Sequence, residues 1–246
     1  MTRVLLLAPV GTDMHLPAEE RSARRAVRRG THVEVRHLPG LPETVYVPPE
    51  ELFVPVLVRA VVAAERAGYD AVGISCCSDP GLAEARAAVS IPVTAPFEAA
   101  RALLPALAPL CVLYVDVPPG DGESDRHGTD WVPELAARYG MGDLMTAPQP
   151  VPVARPAVER ADATHTARDV GDALIAAQRR GLERSGPAAV RRAAAAGARS
   201  ILPACTYWTG TTDALTGLTP LPVLDPVELL ARHTESLALA GRAPAG

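Results

Sequence analysis

Short apolar runs that read as β-strands alternate along this chain with stretches of helical periodicity. The strand-like runs fall at residues 3–8, 31–37, 71–75, 92–95, 110–116, 151–154, 200–204 and 222–224. Between them the apolar spacing predicts helices over 17–29, 50–67, 81–89, 98–107, 131–139, 163–196 and 226–239, the sixth broken at Gly186-Pro187. Strands that alternate with helices imply parallel sheets joined by crossover helices. Residues 118–130, PPGDGESDRHGTD, read as a polar loop rich in turn formers.

The pattern repeats. One copy runs Ala67-Gly68-Tyr69-Asp70-Ala71-Val72-Gly73-Ile74-Ser75-Cys76 and, after a gap, Pro92-Val93-Thr94-Ala95-Pro96-Phe97-Glu98. The other runs Ala196-Gly197-Ala198-Arg199-Ser200-Ile201-Leu202-Pro203-Ala204-Cys205, then Pro222-Val223-Leu224-Asp225-Pro226-Val227-Glu228. Glycine to cysteine is 8 positions in both, and cysteine to proline is 16 in one and 17 in the other. This implies an α/β fold of two pseudo-symmetric lobes, each a parallel sheet flanked by helices, with the active-site cleft between them. Residues 1–96 with 222–246 would form one lobe and 97–221 the other.

Composition narrows the chemistry. All 24 basic side chains are Arg, so a lysine Schiff base or a P-loop lysine is excluded; asparagine is absent as well. A net charge of −4 disfavours a nucleic-acid surface. The apolar run 4–7 is too short for a signal-peptide core, and 102–115 is too short and proline-broken to cross a membrane. A cytoplasmic protein with free thiols at Cys76, Cys77, Cys111 and Cys205 is expected. The six histidines show no ligand spacing, and His32 and His37 face opposite sides of a strand, so neither a metal nor a membrane or nucleic-acid partner is expected. Arg21, Arg24, Arg25 and Arg28 read as one solvated helix face. Gly120-Asp121-Gly122 lacks the third glycine of a dinucleotide fingerprint.

Each repeated cysteine falls just past the C-terminal end of a strand, where parallel α/β sheets collect ligands. Cap-forming residues follow each: Ser78-Asp79-Pro80-Gly81 after Cys76, and Thr211-Thr212-Asp213 after Cys205. A helix N-terminus there would lower a thiol pKa towards neutrality. Two such thiols on opposite sides of one cleft could take a proton from one face of a carbon and return one to the other. The alternative for each is a small buried apolar side chain at a strand end, which is the expectation for Cys111. Cys77 is open between a backbone donor, a stand-in nucleophile and half of a vicinal disulfide.

At these residues the chain resembles the aspartate/glutamate racemase superfamily, and within it the hydantoin racemase family. The string Ile74-Ser75-Cys76-Cys77-Ser78-Asp79-Pro80-Gly81-Leu82 looks like that family's first-cysteine motif. Leu38-Pro39-Gly40-Leu41-Pro42-Glu43-Thr44-Val45 looks like its segment after the second strand, and Ala204-Cys205-Thr206 sits where its second cysteine belongs. The resemblance implies racemisation without metal or cofactor, with Cys76 and Cys205 as the catalytic acid/base pair and a small-molecule substrate. Pro9, Gly11, Thr12, Cys77, Ser78, Asp116, Thr206 and Tyr207 would then bind substrate, backbone N–H groups near Cys77, Ser78 and Thr206 holding an enolate oxygen or carboxylate.

Three departures fall on the expected pocket. The family's Asn-Pro-Asn-Thr is replaced by Pro9-Val10-Gly11-Thr12 after Ala8, its Thr-Thr at the fifth strand by Asp116-Val117, and small residues after the second cysteine by Tyr207-Trp208. Asp116 reads either as a substrate ligand or as a loop cap, and Tyr207 and Trp208 either as pocket walls or as packing. A first cysteine followed by Cys77-Ser78 rather than Asn-Thr sets the chain apart from glutamate racemase. The expected reaction is racemisation or epimerisation at an acidic carbon beside a carbonyl, in a hydantoin or amino-acid derivative. A one-thiol decarboxylase, a cis–trans isomerase and a non-catalytic binding protein are the alternatives. The sequence leaves the oligomeric state open, a homo-oligomer included.

Overall fold

The structure, a computed structural model, describes residues 1–117 and 131–241. The chain divides into two units, one of Met1–Ala99 with Val227–Gly246 and the other of Ala100–Pro226.

The first unit opens with β1 (Thr2–Ala8), α1 (Leu16–Ala26), β2 (Thr31–His37), α2 (Glu50–Arg66), β3 (Ala71–Ile74), α3 (Leu82–Ala87), β4 (Val93–Thr94) and α4 (Pro96–Arg101). The strands are all parallel in the order β2-β1-β3-β4, with Leu7 of β1 opposite Arg36 of β2 and Ile74 of β3. As the central strand, β1 is apolar on both faces, which is why it reads as a continuous run rather than an alternation. Leu5 and Leu7 pack with Phe53, Leu57 and Val61 of α2. Val4, Leu6 and Ala8 pack on the other face with Leu16 and Ala23 of α1.

The second unit contains α5 (Leu104–Leu107), β5 (Leu110–Asp116), α6 (Trp131–Arg138), β6 (Gln149–Pro152), α7 (Ala167–Ala195), β7 (Ser200–Pro203) and α8 (Asp213–Thr216). Its strands are parallel in the order β6-β5-β7. α7 covers one face, packing Ala177, Leu182, Ala189, Val190 and Ala193 against Leu113, Val151 and Ile201. The chain then returns to the first unit as α9 (Pro226–Ala240), whose Val227, Leu230 and Ala231 join the α1 side of that sheet. Gly73 of β3 permits this approach, because a Cβ there would lie 2.8 Å from Thr234 Oγ1. Both sheets are thus flanked by helices, as the alternating pattern implied.

Four elements differ from the sequence reading. The segment 98–107 is not one helix, because Pro105 cannot donate to the Arg101 carbonyl and α4 ends at Arg101. α7 is not broken at Gly186-Pro187: one helix bond is forfeited, but the face carrying Leu182, Gly186, Ala189 and Val190 stays buried across it. Its start is fixed by a capping box between Thr166 and Asp169. β6 begins two residues before 151, and its Pro150 and Pro152 are tolerated on an edge strand. Residues 222–224 form only a bridge, Val223 to Ile201. No helix among the described residues is long and apolar enough to cross a membrane.

Candidate active site

In the first unit β1 and β3 are hydrogen-bonded neighbours, so the segments that follow them leave the same edge of the sheet. Pro9, Gly11 and Thr12 follow β1; Cys76, Cys77 and Ser78 follow β3. Gly11 contributes no side chain but allows a close approach, since a Cβ there would lie 2.0 Å from the Pro42 carbonyl oxygen. The Leu38 N–H donates to Val10 O at 2.9 Å, which ties this segment to the one after β2. Pro9 and Thr12 are buried.

The Cys76 loop is held by backbone bonds. The Ser75 N–H donates to Leu7 O (2.8 Å), Cys76 to Ile74 O (2.9 Å) and Asp79 to Cys76 O (3.1 Å). Asp79 has φ +48°, a left-handed conformation rare outside glycine. This turns its carboxylate onto α4, where it accepts from the N–H groups of Phe97 (3.0 Å) and Glu98 (2.9 Å). The expected Asp79-Pro80 cap of α3 is therefore corrected: Asp79 caps α4, and α3 starts only at Leu82 after a left-handed Gly81. The need follows from the sequence, because Ala95, just before Pro96, has no side-chain acceptor. Glu98 in turn accepts from Thr94 Oγ1 (2.9 Å) and pairs with Arg86. The repeated Pro-x-Glu string is structural here.

Cys76 is half-buried, with Sγ 3.4 Å from Ser78 Oγ. Burial pushes its thiol up; bonds from the Ser78 hydroxyl and N–H oppose this, and the Asp79 and Glu19 carboxylates add to it. The expectation of a thiol lowered by a helix N-terminus is thus overturned for Cys76, since α3 is six residues long and starts six residues later. None of the four cysteines is in a disulfide, so Cys77, which is buried, is not half of a vicinal one. Cys111 is core filling in β5, fully buried, its thiol likewise pushed up by burial.

Behind this loop lies a group the sequence reading missed. Glu19 of α1 is fully buried, and its Oε2 accepts from Ser75 Oγ at 2.7 Å. His15, also buried, places Nε2 3.4 Å from Glu19 Oε1. Burial, followed by the nearby His37, lowers the His15 pKa to about 4, with Asp13 opposing. The signal was present: Leu16, Glu19 and Ala23 share the buried helix face, so an acid stands at an apolar position. The arginines of α1 behave as expected, with Arg24 paired to Glu20 and Arg25 to Glu228.

The second unit repeats the loop geometry. The Ala204 N–H donates to Leu113 O (2.8 Å), Cys205 to Pro203 O (2.9 Å) and Trp208 to Cys205 O (3.0 Å). These match, bond for bond, the donors at Ser75, Cys76 and Asp79. Cys205, Thr206 and Tyr207 are half-buried, and Thr206–Trp208 form a single 3-10 turn. Trp208 is not a pocket wall: it is fully buried, with Nε1 donating to Gln178 O of α7 at 2.9 Å. Thr212 precedes α8 without capping it, because its hydroxyl donates to Asp225 at 2.7 Å. Asp116 ends β5, exposed, on the strand beside β7. The expected loop 118–130, with Gly120-Asp121-Gly122, lies outside the described residues. Among those residues no group of three or more His, Cys, Asp or Glu could hold a metal ion.

The chain is similar to known proteins in sequence over its first part and in fold along its length. The family model described as Asp/Glu/Hydantoin racemase matches residues 4–110. Among solved structures, an allantoin racemase from Klebsiella pneumoniae is 21% identical, covers 100% of this chain and 91% of its own, and superposes with a TM-score of 0.70. An allantoin racemase from Pseudomonas fluorescens is 18% identical over 99% of this chain and 94% of its own, TM-score 0.69. An arylmalonate decarboxylase is 15% identical over 98% and 96%, TM-score 0.52. No curated protein matches. The family model spans the Cys76 motif on which the resemblance was drawn, and the solved structures share the fold along the chain's length.

Proposed function

We propose that this chain, with the Asp/Glu/hydantoin racemase signature over its first 110 residues, is a cofactor-independent racemase or epimerase. Cys76 and Cys205 are its acid/base pair. The observation that carries the reading is the equivalent backbone setting of the two thiols, each one residue beyond a strand-end N–H bonded to the neighbouring strand. In turnover one thiolate removes the proton from an acidic carbon beside a carbonyl, giving an enolate. The other thiol delivers a proton to the opposite face, so the product is the mirror-image centre and the pair has exchanged protonation states. Backbone N–H groups beyond the cysteines would stabilise the enolate oxygen. The substrate proposed is a 5-substituted hydantoin, allantoin included, in keeping with the allantoin racemases of similar fold. The test is racemisation of these compounds in D₂O by Cys76→Ser and Cys205→Ser. Either variant retaining full activity contradicts the pair.

A second reading, a decarboxylase using one thiol as proton donor, is favoured by the burial that holds Cys76 protonated and by the decarboxylase of similar fold. Carbon dioxide released from substituted malonates, without racemisation of hydantoins, would select it.

A further inference from the structure

The two halves hold their cysteines alike but do not surround them alike. At the position of Ser75 the second half has Ala204, which has no hydroxyl. α1 follows β1, an interior strand, and α6 follows β5, the middle strand of its sheet, yet α6 buries Val132, Leu135 and Ala136 where α1 buries Leu16, Glu19, Ser22 and Ala23. By the shared spacing of three and then one, in Glu19, Ser22 and Ala23 and in Val132, Leu135 and Ala136, Val132 stands where Glu19 does. The Ser75–Glu19 bond therefore belongs to one thiol only.

Resting on the two-thiol reading above, we propose that Glu19 is a positioning residue that, bonded to Ser75, keeps Cys76 as the protonated member of the pair and leaves Cys205 as the resting base. A carboxylate near a sulfur disfavours the thiolate by like-charge repulsion, more strongly in a dry interior than in water. The groups facing Cys76 are Glu19 from α1, and Asp79 and Ser78 from its own loop. Those facing Glu19 are the Ser75 hydroxyl and His15, which is itself faced by His37 and Asp13. With its pKa near 4, His15 is neutral at physiological pH and brings no positive charge to Glu19. An acid buried without a role would be costly to keep, and Val132 shows that the fold accepts an apolar residue at that place. The two substrate enantiomers then meet the enzyme unequally. One finds Cys205 thiolate and Cys76 thiol ready. After its turnover Cys205 holds the proton, and the resting form returns as Cys205 loses a proton to solvent and Cys76 gains one.

The test is alkylation of each cysteine by iodoacetamide against pH, read peptide by peptide by mass spectrometry. The wild-type protein is expected to show a higher midpoint for Cys76 than for Cys205. Glu19→Gln should lower the Cys76 midpoint by about 1 pH unit and leave Cys205 unchanged. An unmoved Cys76 midpoint, or a wild-type midpoint below that of Cys205, overturns the proposal. If Glu19→Gln unfolds the protein, seen as alkylation of the buried Cys111, the double variant Ser75→Ala/Glu19→Val reproduces the Ala204 and Val132 environment and carries the same expectation. Alkylation requires no turnover. A lowered midpoint in a protein that racemises nothing would refute the proposed reaction alone.

Discussion

Replacing Asp79 by Ala should destabilise the protein by about 3–4 kcal/mol. Two bonds to N–H groups at the start of α4 are lost, of 3.0 Å to Phe97 and 2.9 Å to Glu98. Each is a bond to a charged acceptor, and its loss leaves a donor without a partner from that carboxylate, at about 1.5 kcal/mol apiece. Ala must also hold the left-handed φ of +48°, at a further cost of about 1 kcal/mol. Asp79→Asn should lose only about 1.5 kcal/mol, because one acceptor oxygen remains and asparagine tolerates that conformation. Urea unfolding of the three proteins at neutral pH measures both values. Equal losses for the two variants, or a loss below about 1 kcal/mol for Asp79→Ala, would refute the assignment of Asp79 as the α4 cap.

Two further outcomes are expected. His15 has its folded pKa depressed from 6.5 to about 4, so its unfolded form binds a proton first as the solution is acidified. Stability should be unaffected above about pH 6.5 and fall by about 3 kcal/mol between there and pH 4, a loss that His15→Gln removes; urea midpoints across this range that fall equally in both proteins would contradict it. Gly11→Ala should destabilise by about 1–3 kcal/mol through its clash with the Pro42 carbonyl, while Gly30→Ala, with nothing within 4 Å, should be nearly neutral in the same unfolding assay.

Most of the framework was legible because buried parallel strands write themselves as unbroken apolar runs, as in β1 and β5. The repeat located both cysteines because Gly68 and Gly197, with φ of +76° and +84°, end helices at the same distance before each. What escaped the sequence depends on partners far along the chain. Asp79 looks like the cap of the helix next to it, yet its acceptors serve residues 18 and 19 positions later. Trp208 sits beside a candidate site residue but turns into the core under α7. Glu19 hid because a pattern of apolar and polar positions scores an acid as surface, although its helix face is buried. The rise of the Cys76 thiol was invisible for a like reason: burial, its largest cause, comes from packing that no local stretch of sequence displays.

The central claim is that two thiols share one proton transfer. Its most direct measurement is α-deuterium incorporation and loss of optical purity for each enantiomer of a 5-substituted hydantoin in D₂O, with the wild-type protein, Cys76→Ser and Cys205→Ser. The account predicts deuterated racemate from both enantiomers with the wild type, and no racemisation with either variant. Racemisation that survives the loss of one cysteine would contradict it.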